Sequence, residues 1–326
     1  MTAGRLENDT KPKVRSAFAW RTKSVLGKQK NRTPNSSPPA GRAEFAPNEV
    51  ELAMLKEKAL FSRLEAIRLI EIAKVGHYTS AFSAAELFAS LYYGVMRLKP
   101  GEPNWAERDR FMMGKGHAAV GLFPILADLG FFPTEILDGY TRLGNPLGDH
   151  PDMRKVPGID FSSGSIGHAL SAGCGMALAG RILGKDFHTF VMIGDGELQE
   201  GQVWEAALFG AHNRLNRLIG IIDRNGYQLD GAVDDIITVE PIVDKWRSFG
   251  WETHVVDGHD VGAVTTLLRS LKADTARDRP VMVVAETVKG KGVSYMETEP
   301  GWHLGYLDPV DAERAIAEIK AMEIRG

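Results

Sequence analysis

The sequence predicts an α/β fold, a parallel sheet with helices on both faces, in one domain over residues 49–326. Two observations predict it. Short, nearly continuous apolar runs alternate with stretches of helical period as β-α-β-α-β-α-β from residue 188 to residue 288, the pattern of strands covered on both faces. Two of those runs end in turn-forming sequences, Gly194–Asp195–Gly196 and Asn225–Gly226, as strand tips in open sheets do.

The elements follow in order. The first 49 residues carry ten Lys or Arg against four Asp or Glu, with few core-forming side chains, so residues 1–48 are expected to be a disordered basic tail. It has no apolar stretch of secretory-signal type. From Asn48 the pattern becomes regular: VELAMLKEKALFSRLEAIRLIEIAKVG (50–76) spaces apolar residues as a helix does and stops at Gly76. SAAELFASLYYGVM (83–96) predicts a second helix, opened by Ser83 with Glu86 three residues on as a capping box. Residues 116–130 and 134–144 read as helices, and 167–184 as a helix of small residues able to approach a neighbour closely. Then come strand 188–194, helix 202–215, strand 217–223, helix 241–250, extended 251–258, helix 260–273, strand 280–288 and a closing helix 308–322.

Composition narrows the function classes. A net charge of −3 over 326 residues gives no reason to expect nucleic acid or an acidic membrane surface as partner. No apolar run approaches the roughly 18 residues that span a bilayer. The single cysteine, Cys174, sits in a small-residue helix pattern and reads as a buried small hydrophobe; a reducing cytosol is expected.

In open parallel sheets, ligands bind beyond the carboxyl ends of the strands. Asp195 follows one strand and Asn225 the next, across a single helix, and a right-handed crossover can bring the two tips together. A carboxylate and an amide oxygen there make a hard-oxygen site for Mg²⁺ or Ca²⁺. Gly194 and Gly196 admit a bulky anion to the backbone, and the start of helix 202–215 favours negative charge. Mg²⁺ takes few protein ligands and completes its shell with phosphate and water, so the chemistry implied is a diphosphate tethered through a divalent metal. Gly-Asp-Gly alone is commonly just a turn; the second strand and its Asn-Gly make the combination specific. Zinc is not expected, because no Cys/His pairs show ligand spacing. KGKG at 289–292 lacks the P-loop pattern and reads as a flexible active-site loop with mobile lysines. His188, His212 and His254 read as surface or satisfied core residues, His168 as a first-turn structural contact and His259 as a loop-structuring residue.

GDGELQEG…IIDRNG resembles the thiamine-diphosphate motif, which runs from Gly-Asp-Gly to an Asn about thirty residues later. Within that superfamily, about residues 52–322 resemble the N-terminal half of transketolases, through GH (76–77), GKGH (114–117), GDHPD (148–152), SSGSIG (162–167), DGHD (257–260), ETVKGKGVSYME (286–297) and WH (302–303), in the family's order. Complete transketolases continue into a pyrimidine-binding domain and a third domain, so the resemblance is to the N-terminal subunit of a split transketolase. It implies a thiamine-diphosphate-binding fold. It also implies Mg²⁺, replaceable by Ca²⁺ or Mn²⁺, on Asp195, Asn225 and the main-chain oxygen of Tyr227. Gly164, Ile166 (where leucine is usual), Gly194, Gly196 and Asn225 would contact the cofactor, and Glu200 would help couple two cofactor sites across a subunit interface. His77, His117, His150 and His303 would be the active-site histidines. The implied reaction moves a two-carbon ketol unit from a ketose phosphate to an aldose phosphate, in the cytoplasm, with the chain partnered by a C-terminal subunit in an α₂β₂ assembly. Tyr78 and Thr79, beside a substrate histidine, depart from the family's small residues and bear on sugar preference. The alternatives are the α subunit of a 2-oxoacid dehydrogenase, which shares the metal motif, and a non-catalytic cofactor-binding remnant. A 1-deoxyxylulose-phosphate synthase is nearer but is a single long chain.

Overall fold

A computed structural model describes residues 43–229 and 231–325; the expected tail lies outside them up to residue 42. Its last residues depart from that expectation, because Ala43–Phe45 form a 3₁₀ turn and Asn48 caps the first helix. The chain runs α1 (Glu49–Ala73), α2 (Tyr78–Ala89), β1 (Arg110–Met113), α3 (Ala119–Asp128), α4 (Ala169–Ile182), β2 (Thr189–Gly194), α5 (Gly201–His212) and β3 (Leu218–Arg224). It continues through a hairpin of β4 (Tyr227–Gln228) and β5 (Gly231–Ala232), then α6 (Val233–Ile236), α7 (Ile242–Ser248), β6 (Glu252–Asp257), α8 (Val261–Ala273), β7 (Val281–Glu286) and α9 (Pro309–Arg325).

Five strands form one sheet in the order β1-β2-β3-β7-β6, every pair parallel. Alternate strand residues face opposite layers. Phe190, Met192, Ile219, Ile221, Val281 and Val283 join a core with α1, α2, α3, α8 and α9. Val191, Ile193, Leu218, Ile222, Met282 and Val284 join a second core with α4, α5 and α7. This double burial is why the strands read as unbroken apolar runs.

Four differences from the sequence reading have physical causes. β1 is a strand that the reading did not include; RFMM is too short for a periodic signal and follows a charged stretch. α2 begins at Tyr78, not Ser83, and its end continues as a π-helical turn, Ser90–Val95. Ser83 and Glu86 therefore form no capping box; both are buried in mid-helix and serve distant partners. Residues 134–144 form only a 3₁₀ turn over Thr134–Gly139, because the Asn145 side chain donates to the Ile136 carbonyl and closes the segment on itself.

Candidate active site

The tips of β2 and β3 are paired in register, Gly194 opposite Asp223, so the next residues of both strands emerge side by side. Asp195 accepts the Gly196 N–H at 2.9 Å with one carboxylate oxygen and the Gly226 N–H at 2.6 Å with the other, which turns it onto the Asn225 loop. Asn225 accepts the Tyr227 N–H at 3.1 Å through Oδ1. These groups floor a cleft of about 570 Å³. It is lined by His77, His117, His150, His303, Gly164, Ile166, Gly194, Asp195, Gly196, Glu200, Asn225 and Tyr227, the metal, cofactor and histidine positions that the resemblance implies.

Four separate segments deliver the histidines. His77 precedes α2, and His117 lies in a 3₁₀ turn, Gly116–Ala118. His150 stands in the loop before α4, beside the Asp152 carboxylate that accepts the Ser162 hydroxyl at 3.2 Å and so ties the GDHPD and SSGSIG loops together. His303 follows the turn Pro300–Trp302, and that segment is strapped to His77 by reciprocal Gly76–Gly305 backbone bonds of 2.9 and 3.0 Å. The rings cluster as a result: centroids lie 5.1 Å apart for His77 and His117, 5.1 Å for His77 and His303, 5.3 Å for His117 and His303, and 6.1 Å for His77 and His150. His77 Nδ1 meets Asp149 at 3.3 Å, and His117 Nε2 meets the Ser80 hydroxyl at 2.9 Å.

Burial, and then the Lys115 charge, hold His117 well below the usual histidine range. Burial, then Lys289 and His77, lower His303 to about 4. Both environments favour the neutral ring, the form that can accept a proton. The carboxyl of Asp195 behaves oppositely: burial, with Asp223 adding like charge, raises it to about 7. A carboxylate buried at the floor of a polar cleft, with the nearby Lys115 already paired to Asp223, favours a bound cation. The donors at hand, a carboxylate, an amide oxygen and a main-chain oxygen, suit a hard divalent ion. Among the described residues no group of three or more His, Cys, Asp or Glu is arranged to hold a metal. The cleft also fits a bulky, polar-edged ligand. A Cβ on Gly194 would meet only open space, and Gln228 Oε1 and His303 Nδ1 are buried without a partner.

The structure adds residues that the sequence reading left unassigned. Glu197 accepts the N–H groups of Gly167 at 2.8 Å and Gly194 at 3.2 Å, joining the SSGSIG loop to β2. A Cβ on Gly114 would lie 2.3 Å from that carboxylate, and one on Gly116 would lie 2.5 Å from the Ser163 hydroxyl, so the GKGH glycines permit the loops to meet. Ser80, Lys115, Gln199, Gln228 and Leu229 also line the cleft. Ser80 precedes the helix start that the sequence predicts at Ser83, and nothing in the GKGH motif by itself marks Lys115 for a role. Two expectations are corrected. Lys289 is no mobile loop lysine, because it is buried and donates to the Leu229 carbonyl at 3.0 Å. Tyr78 and Thr79 face protein: the Tyr78 hydroxyl accepts the Leu307 N–H at 3.1 Å, and the Thr79 hydroxyl donates to the Trp302 carbonyl at 3.1 Å. Being fully buried, they support the His77–His303 strap. His259 is structural, accepting the Val288 N–H at 2.8 Å.

Comparison with known proteins gives the family. Residues 56–319 match the family described as transketolase, thiamine diphosphate binding domain. The 6-deoxy-6-sulfo-D-fructose transketolase subunit of Clostridium sp. (strain MSTE9) is 40% identical over 256 residues, 78% of this chain and 92% of that protein. An apulose-4-phosphate transketolase subunit of Phocaeicola vulgatus is 38% identical over 255 residues, 77% of this chain and 90% of that one. The solved transketolase of Leishmania mexicana superposes with a TM-score of 0.77 at 28% identity, over 82% of this chain but 41% of its own. The two subunits are thus matched over nearly their whole length and the single-chain enzyme over less than half. The chain belongs to the transketolase family, as its N-terminal, thiamine-diphosphate-binding subunit.

Proposed function

We propose that this subunit, joined to a C-terminal subunit carrying the pyrimidine-binding domain, transfers a two-carbon ketol unit from a ketose phosphate to an aldose phosphate. The observation that carries the reading is the convergence of four imidazoles above the Asp195–Asn225 floor. Asp195, Asn225 Oδ1 and the Tyr227 main-chain oxygen would hold Mg²⁺, with Ca²⁺ or Mn²⁺ able to replace it. Gly164, Ile166, Gly194 and Gly196 would lie against the cofactor. Bound thiamine diphosphate supplies the electron sink for cleavage beside the ketose carbonyl. This chain's own residues move protons and orient the sugar. His117 and His303, whose environments favour the neutral ring, can take the proton of a substrate hydroxyl, and His77 and His150 can donate hydrogen bonds to the others. Such groups contribute about 10²–10⁴-fold each. Glu200, at the cleft rim, would face a second cofactor site in an α₂β₂ assembly. A pentose-phosphate role and a cytoplasmic location belong to the same proposal, the latter resting on a lone, buried thiol at Cys174. The 2-oxoacid dehydrogenase reading is not favoured, because the relatives are transketolases.

The test reconstitutes the chain with its C-terminal partner. Ketol transfer is assayed on a donor panel that includes the unusual ketoses named for its relatives, and Mg²⁺-dependent uptake of thiamine diphosphate is followed by calorimetry. We expect transfer by the pair only, and Asp195→Ala to remove both transfer and uptake. Transfer by the lone chain at the pair's rate refutes the split reading. Unchanged uptake in Asp195→Ala refutes the metal assignment.

A further inference from the structure

Beneath the histidines lies a charged group that the proposed reaction does not use. Lys115 is 2% exposed and Asp223 is fully buried, and the two form an ion pair. Lys115 Nζ also donates to the Ser80 carbonyl at 3.0 Å and meets the Ser83 hydroxyl at 3.3 Å. Ser83 donates to Asp223 at 2.7 Å, and the Thr287 hydroxyl donates to the same carboxylate. Four segments therefore meet at one buried pair: the turn after β1 that carries Lys115, the first turns of α2, the tip of β3 that carries Asp223, and the loop after β7.

Stability alone does not account for such a pair. Removing two charges from water costs several kcal/mol per ion, and apolar residues of similar volume are often as stable or more so. Its position does account for it. Lys115 stands two residues before His117 and lines the cleft, while the Ser80 hydroxyl on the clamped turn is the partner of His117 Nε2. We propose that the Lys115–Asp223 pair positions the catalytic histidines: it clamps the first turn of α2 to the tip of β3, holding Ser80 against His117, and it fixes a positive charge beside that ring. Lys115 is a positioning residue here, acting through His117 and Ser80.

The groups that face His117 electrically are Lys115, His77, His303 and His150, and Lys115 is the permanent charge among them. Asp149, held on His77 at 3.3 Å, lies one ring further away. Burial and the Lys115 charge both disfavour protonated His117, so removing the charge must raise the ring's titration.

The inference rests on the transketolase reading, and its test separates the two. Carbon-13 histidine NMR follows His117 in the full chain, assigned with His117→Gln, and kcat/KM is followed against pH in the reconstituted complex. In the wild type His117 should titrate below the usual histidine range. Lys115→Met should move its titration up by about one pH unit or more and add an acid limb to kcat/KM. Lys115→Arg, which keeps the charge, and Asp223→Asn, which leaves Lys115 unneutralised, should not. If Lys115→Met does not fold, the double variant Lys115→Met/Asp223→Leu replaces the pair by apolar groups and should still move the titration upward, by less than the single variant, which leaves Asp223 as an unpaired anion. Equal His117 titration in the wild type and in the Met variant, single or double, overturns the inference. A shifted titration in a complex that transfers no ketol group upholds it and overturns the functional reading instead.

Discussion

Glu86 is buried against Arg63 and His259. Both Arg63 Nη atoms reach its carboxylate at 2.6 Å, and His259 Nδ1 lies 2.9 Å from it. Because His259 Nε2 accepts the Val288 N–H, the ring proton sits on Nδ1 and donates to Glu86. Burial pushes the Glu86 carboxyl up, but Arg63 and His259 together outweigh it and lower it from 4.5 to about 2. The sign of the linkage follows: a carboxyl lower in the folded than in the unfolded chain adds stability above the unfolded value, and that stability is lost as pH falls from about 4.5 through about 2. Glu86→Gln leaves the Arg63 charge buried and should cost about 3–5 kcal/mol at neutral pH by urea denaturation. The gap to wild type should narrow as pH falls through that window; a constant gap would mean that packing, not charge, is lost. The Ser83–Glu86 spacing was legible as a local motif, yet both side chains serve partners on β3, α1 and the β6–α8 loop. Spacing within four residues cannot distinguish a helix start from a helix interior whose polar groups are satisfied elsewhere.

α4 shows the same limit at the scale of an element. Its small residues announced close packing, but not which of them pack. A Cβ on Gly173 would lie 2.3 Å from Val191 Cγ2 on β2, whereas one on Gly175 would meet nothing within 4 Å. Gly173→Ala should therefore destabilise the isolated chain by about 1–3 kcal/mol through overpacking, offset in part by helix propensity. Gly175→Ala, two positions along the same helix, should stabilise it by up to about 1 kcal/mol. Opposite shifts in melting temperature for the two variants check this, and equal shifts would contradict it. The caps behave more locally: Asn48 accepts the Glu51 N–H at 3.0 Å and Asp260 the Ala263 N–H at 2.9 Å, both within one turn. Asn48→Ala should cost about 1 kcal/mol.

For the whole molecule, the site is where two layers and several loops meet, so ligand binding should act on the folding transition as a unit. Mg²⁺ with thiamine diphosphate at about a hundred times Kd should add about 2.7 kcal/mol to the complex with its partner, and a chelator should return the melting curve to its ligand-free position. A curve unmoved by both additions would remove the cofactor site as proposed. Among the described residues no helix is long and apolar enough to cross a membrane. The sequence by itself determined the alternation of buried strands and helices and the two strand tips at Asp195 and Asn225. It also determined the motifs that hold the four histidines, because apolar period and turn chemistry are written in neighbouring residues. The tertiary structure alone decided the edge strand β1, the true start of α2 and the burial of Lys289. It also decided the Lys115–Asp223 pair and the Glu86 cluster. In each of these the deciding partner lies on another element, and the free energy of burying a charge or pairing an edge strand depends on what the fold brings beside it.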